Sequence, residues 1–149
     1  MLGFHGYGTN AYASKRLALI PPIVTMPTTV LRLSRTLLTQ PQIIGQGDYG
    51  FELPFMLQDS AGNPVDITLA SLSLNVQDGQ DPSQTDLFSG PMSVDVGADG
   101  TCHYTVAQGN FPNTGVFLGQ IVATWSSSVT LTWSGITIIV RPKLPQSNN

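Results

Sequence analysis

From residue 51 the chain alternates apolar and polar positions with a period of two. Phe51, Leu53, Phe55 and Leu57 are interleaved with Glu52, Pro54, Met56 and Gln58, which describes a strand with one buried face. Residues 59–64 (DSAGNP) form a dense turn cluster. Leu72, Leu74 and Val76 then alternate with Ser71, Ser73 and Asn75, and residues 77–84 (QDGQDPSQ) read as a polar loop. Met92, Val94 and Val96 lead into Asp99-Gly100, a hairpin signal, and the returning strand carries Cys102, Tyr104 and Val106 on one face. Beyond a loop at 108–115, Phe117, Gly119, Ile121 and Ala123 alternate towards Trp125. Serines at 126–128 turn the chain into Val129, Leu131 and Trp133, and Ile136, Ile138 and Val140 make a last strand before Pro142 and Pro145. About seven strands, turn signals every roughly 8–15 residues and no helix of ordinary length predict an all-β, antiparallel two-sheet sandwich over residues 45–142.

Residues 1–44 follow another rule and read as an extended N-terminal arm; residues 143–149 read as a short tail. The opening MLGFHGYGTNAYAS spaces Phe4, Tyr7 and Tyr12 with Gly, Asn and Ala. It has neither helical period nor strand alternation, so it does not offset its own ordering entropy. Rings spaced in this way serve as anchors for pockets on another surface. Residues 17–20 (LALI) precede Pro21 and Pro22, which with Pro27 enforce extended backbone. Residues 28–38 (TTVLRLSRTLL) fit either a short helix capped by a threonine or a strand with Leu31 and Leu33 on one side, and the helix or an extended clamp is slightly favoured.

Charge sharpens the division. Residues 1–47 hold Lys15, Arg16, Arg32 and Arg35 and no acid, while residues 48–140 hold all nine acids and no Lys or Arg. Arg141 and Lys143 follow, so segments of +4, −9 and +2 lie behind a net charge of −3. A basic arm joined to an acidic body is expected to lie on an acidic surface of a neighbouring copy, with Arg16, Arg32 and Arg35 meeting carboxylates. Exposed ion pairs contribute only about 0–1 kcal/mol each, so the apolar anchors must supply most of the affinity while charge sets register. Only 10% of residues are charged, against roughly 25% in ordinary soluble domains, which suits faces covered by neighbours.

The residues argue against catalysis and cofactors. His5 lies in the opening segment, and His103 is adjacent to Cys102, so on a strand the two side chains point to opposite faces. No set of His and Cys ligands suits a transition metal, and Asp78, Asp81 and Asp86 lack EF-hand spacing. Cys102, the single cysteine, reads as a buried strand residue. Four cations spread over residues 15–35 beside so acidic a body do not make a nucleic-acid site. No apolar run approaches the ~20 residues of a membrane span, and Lys15 and Arg16 precede too short an apolar stretch for a signal peptide. Trp125 and Trp133 raise a glycan platform as an alternative, with a core or interface role for the rings as the plainer reading.

Residues 47–68 (GDYGFELPFMLQDSAGNPVDIT) resemble the opening of the immunoglobulin-like domain of tailed-phage structural proteins, best known from the N-terminal domains of upper baseplate proteins. The family's Asp-x-x-Gly-Asn-Pro-Val turn followed by Asp-Leu-Thr is matched by Asp59, Gly62, Asn63, Pro64, Val65, Asp66 and Thr68, with Ile67 for the Leu. Asp99-Gly100 before Tyr104, then Gly115, Phe117, Gly119, Ile121 and Ala123, continue the likeness, which covers residues 47–140. The resemblance implies an immunoglobulin-like sandwich in a non-enzymatic virion protein, made in the host bacterial cytoplasm. Its expected partners are copies of itself and other virion proteins at the tail, baseplate or neck. Head decoration, or adhesion to host glycan, is the alternative.

Overall fold

The computed structural model describes residues 26–35, 40–79, 86–126 and 128–143. Nine strands lie within them: β1 (Thr29–Arg32), β2 (Gln42–Gly45), β3 (Glu52–Gln58), β4 (Ser71–Asp78), β5 (Phe88–Pro91), β6 (Ser93–Val96), β7 (Thr101–Thr105), β8 (Gly115–Thr124) and β9 (Thr130–Arg141). They form a four-stranded sheet in the order β1-β3-β7-β6 and a five-stranded sheet in the order β2-β9-β8-β4-β5. Setting β2 aside, these orders match the A-B-E-D and G-F-C-C′ sheets of an immunoglobulin sandwich.

The alternation in the sequence becomes the core. Leu53, Phe55 and Leu57 of β3 face Leu72, Leu74 and Val76 of β4, Ile121 and Ala123 of β8, and Trp133, Ile136, Ile138 and Val140 of β9, all buried. Cys102, Tyr104 and Val106 lie inward on one face, as their spacing predicts. In β9 the phase changes between Trp133 and Ile136. The pairing Gly119↔Ile136 is followed by Gln120↔Ser134, leaving Gly135 as the extra residue of a β-bulge. Gly135 sits at φ +97, a conformation that a side chain would strain. The bulge keeps the apolar set of β9 inward on both sides of the offset.

Four expectations change. Residues 28–38 do not begin a helix: Thr29–Arg32 is a strand pairing parallel with β3, Thr29↔Phe55 through Arg32↔Gln58. Period two decides it, because Thr29 and Leu31 are buried while Val30 and Arg32 are half-buried. The boundary expected near residue 45 also moves, since β2 pairs parallel with β9 and buries Ile44. The sandwich therefore includes Thr29–Arg32 and Gln42–Gly45, and its sheets are mixed rather than purely antiparallel. Nine strands replace the expected seven because β1, β2 and β5 are added, while the two runs expected at 129–133 and 136–140 join into the single bulged strand β9. The sequence between β1 and β3 supplies the long crossover that a parallel pair requires, placing β2 in the opposite sheet on the way.

One buried polar side chain joins the two added strands. Gln42 Nε2 donates to Thr29 Oγ1 at 2.7 Å and to the Pro27 carbonyl at 3.1 Å. Edge β1 of one sheet is thereby tied to edge β2 of the other. Across the core, Trp133 Nε1 on β9 donates to the Gln58 carbonyl on β3 at 2.8 Å.

Candidate functional site

Four of the predicted anchors, Phe4, Tyr7, Tyr12 and Arg16, lie outside the described residues. Arg32 leaves β1 and folds onto its own sandwich. Its Nε donates to Gln58 Oε1 at 3.2 Å, and its guanidinium lies against Gly62 of the following turn. Arg35 is exposed just beyond β1, where Ser34 turns the chain at φ +60. Trp133 is wholly buried, so neither ring face is open to a sugar. Trp125 is half-buried against the core at the β8–β9 turn, where its backbone N–H donates to the Val129 carbonyl at 3.0 Å. The structure does not bring the two rings together as a platform.

The turn behind the family resemblance is held by its own carboxylates. Asp59 Oδ1 accepts the N–H groups of Ala61 and Asn63, each at 2.9 Å. Asp66 Oδ1 accepts the Thr68 hydroxyl at 2.6 Å and its N–H at 3.0 Å. Both carboxyls are held below the ordinary range, Asp59 chiefly by the Asn63 N–H and Asp66 chiefly by the Thr68 hydroxyl. Gly62 supplies the positive φ, +92, that this turn demands.

Cys102 and His103 diverge as adjacent strand residues must. Burial first, and then the charge of Asp95, push the Cys102 thiol up to about 12, which leaves it an inert core residue. His103 points outward between two carboxylates, with Nδ1 2.7 Å from Asp95 Oδ1 and Nε2 3.3 Å from Glu52 Oε2. Glu52, His103 and Asp95 stand on β3, β7 and β6, so one imidazole links three strands. Each of its nitrogens has a carboxylate partner, so the imidazole clamps the three strands together. Among the described residues, no three His, Cys, Asp or Glu side chains are grouped to hold a metal ion. No helix there is long and apolar enough to cross a membrane.

Among the described residues, a feature suited to binding is a cleft of about 670 Å³ beside β2. Met26, Ile43, Tyr49 and Phe51 give it apolar walls, while Asp48, Glu52 and Lys143 give it charge. Lys143 Nζ pairs with Asp48 Oδ1 at 2.9 Å. Tyr49 is 55% exposed and Ile43 46%, large apolar areas for a chain this size. Ile43 also starts an outward row across the five-stranded sheet, since it pairs with Ile139 on β9 and Ile139 pairs with Val116 on β8. Leu118, two residues along β8, extends the row, and both Val116 and Leu118 are 41% exposed.

Sequence reading missed this surface because residues 43–52 form it only once Met26 and Lys143 are brought beside them. Its one local signal is Tyr49 in Gly47-Asp48-Tyr49-Gly50. There a large ring stands between glycines at φ +79 and +89, and short of the strand that follows.

No protein-family model matches the chain, and no curated protein matches its sequence. Among solved structures, the N-terminal domain of phage TP901-1 ORF48 superposes with a TM-score of 0.59 at 11% identity, covering 77% of this chain and 98% of that one. At that identity the likeness is one of fold, and nearly the whole of that phage domain is reproduced by this sandwich.

Proposed function

We propose that this chain is a non-enzymatic structural protein of a tailed-phage virion. It is carried on a symmetric assembly of the tail, baseplate or neck and attached through its N-terminal segment. The observation that carries this reading is the fold shared with almost all of a phage domain. The acid-free, ring-bearing leader of a poorly charged chain supports it. The cleft at β2 and the apolar row beside it give the sandwich a surface for neighbours.

The test is to assemble particles with a chain lacking residues 1–25 and to quantify it by mass spectrometry of purified heads and tails. The expected result is a truncated chain with an unchanged circular dichroism spectrum that is missing from particles. Full-length chain found on heads alone moves the assignment to head-shell decoration. Truncated chain incorporated as well as full-length chain refutes attachment through the leader.

A further inference from the structure

We infer that the cleft beside β2 is the receptor for the N-terminal segment of a second copy of this chain, with residues 15–20 as the seated stretch. The inference rests on the proposal that the leader mediates assembly, and it names the surface that receives it.

Geometry gives the first reason. β2 is an edge strand, with β9 on one side and no described strand on the other. An open edge beside an apolar cleft is the arrangement in which an extended peptide adds a strand, backbone giving affinity and pockets giving specificity. A volume of about 670 Å³ takes several side chains of such a peptide. Residues 17–20 (LALI) are a run of matching length and character, short enough for a β2 of four residues.

Charge gives the second. Lys15 and Arg16 immediately precede the apolar run, and the cleft wall carries Asp48 and Glu52. Lys143 already pairs with Asp48, so the wall is partly neutralised, and the arriving cations set direction more than affinity.

The third reason is where the described chain begins. Met26 itself lines the cleft, so each copy's leader departs from the rim of a receptor. Between residue 20 and Met26 stand Pro21 and Pro22, which favour extended backbone over a reversal. A leader following that preference would be directed to a neighbouring copy's cleft in place of its own. Repeated around a ring, each copy then gives one leader and receives one, a head-to-tail contact that closes under rotational symmetry.

The experiment uses full-length chains. One carries Leu19→Cys and a mass tag, the other carries Ile43→Cys, and the two are mixed under mild oxidation. Cys102 stays silent because it is fully buried. The expected product is a disulfide dimer of unlike copies, formed several-fold more readily than when Ile43→Cys is replaced by Val129→Cys, an exposed position on the β8–β9 turn. Lys15→Glu with Arg16→Glu should lower the yield, and the loss should shrink as salt rises. No preference for Ile43→Cys over Val129→Cys overturns the inference. So does a chain carrying both Leu19→Cys and Ile43→Cys that closes on itself as a monomer. If cross-linking fails while chains lacking residues 1–25 are still excluded from particles, the leader has another virion protein as its receptor. The proposed function then stands without this inference. Normal incorporation of the truncated chain refutes the proposed function itself.

Discussion

The two outer faces of the sandwich grow from the same alternation and end in opposite chemistry. On the four-stranded sheet, Glu52, His103 and Asp95 stand on three neighbouring strands and satisfy one another, with Arg32 laid over the turn at Gly62. That face is finished by its own side chains. On the five-stranded sheet, the outward residues of β8 are Val116, Leu118, Gln120, Val122 and Thr124, none of them charged, and the row Ile43–Ile139–Val116 crosses three strands in register. That face has apolar area that the described residues leave exposed. Period two decides which side of a strand is buried. What the other side is for depends on whether its residues can satisfy each other, and here one face can and the other cannot.

The comparison assumes that both faces rest on one core, and Trp133 tests this with the largest effect. Its ring fills the space between the sheets, and its N–H reaches from β9 to the Gln58 carbonyl on β3. Trp133→Ala should cost about 3–5 kcal/mol through the cavity and the lost hydrogen bond. Urea unfolding followed by circular dichroism and by Trp125 fluorescence should give one coincident transition shifted to lower denaturant. Two separated transitions would mean that the sheets unfold independently, and the faces could not then be compared as sides of one body.

The charged face supplies the next effect. His103→Ala removes the partner of two carboxylates, but Glu52 and Asp95 are 60% and 42% exposed, so solvent screens much of the interaction. A destabilisation of about 1 kcal/mol is expected, shrinking as salt is raised. His103→Gln should keep part of it, because an amide still donates to one carboxylate. A substitution that is neutral at low and high salt alike would show that this face is not held by the clamp.

Much of this architecture is legible along the chain, and the remainder is not for a physical reason. β3, β4, β7, β8 and β9 announce themselves because neighbours two apart share a face, a local property. The bulge is not legible, because Val129–Trp133 and Ile136–Val140 look like separate runs until both are seen to pair with β8, where the odd spacing from Trp133 to Ile136 leaves Gly135 extra. The turn at 59–68 follows from residue chemistry alone. β1 and β2 were hidden because their partners are distant. Thr29 pairs with Phe55 and Gln42 with Ile138, and four-residue strands carry too little pattern to declare such pairing. Gln42 misleads further, being polar in sequence and buried in the fold, where Thr29 and Pro27 accept its hydrogen bonds. The His103 clamp was invisible for the same reason, since it joins β3 to β6 and β7, and the cleft around residues 43–52 is completed by the distant Met26 and Lys143.

The smallest effect is the most discriminating. Val116 and Ile139 point away from the core, and threonine keeps the β-branched shape that strands favour. Val116→Thr and Ile139→Thr should therefore each change stability by less than about 0.5 kcal/mol, read as an unmoved urea midpoint. If the row exists for a neighbour, the same pair of changes should lower the yield of cross-linking between Leu19→Cys and Ile43→Cys copies, because it removes apolar area where the row meets Ile43. The outcomes divide cleanly. A loss of more than about 1 kcal/mol would mean that the row is part of what holds the sandwich together, leaving the two outer faces alike in kind. Unchanged stability with unchanged cross-linking would confine the receptor to the cleft walls around Tyr49 and Phe51. Unchanged stability with weakened cross-linking separates folding from assembly on a single strand, Phe117 and Ile121 of β8 serving the core while Val116 serves the next copy.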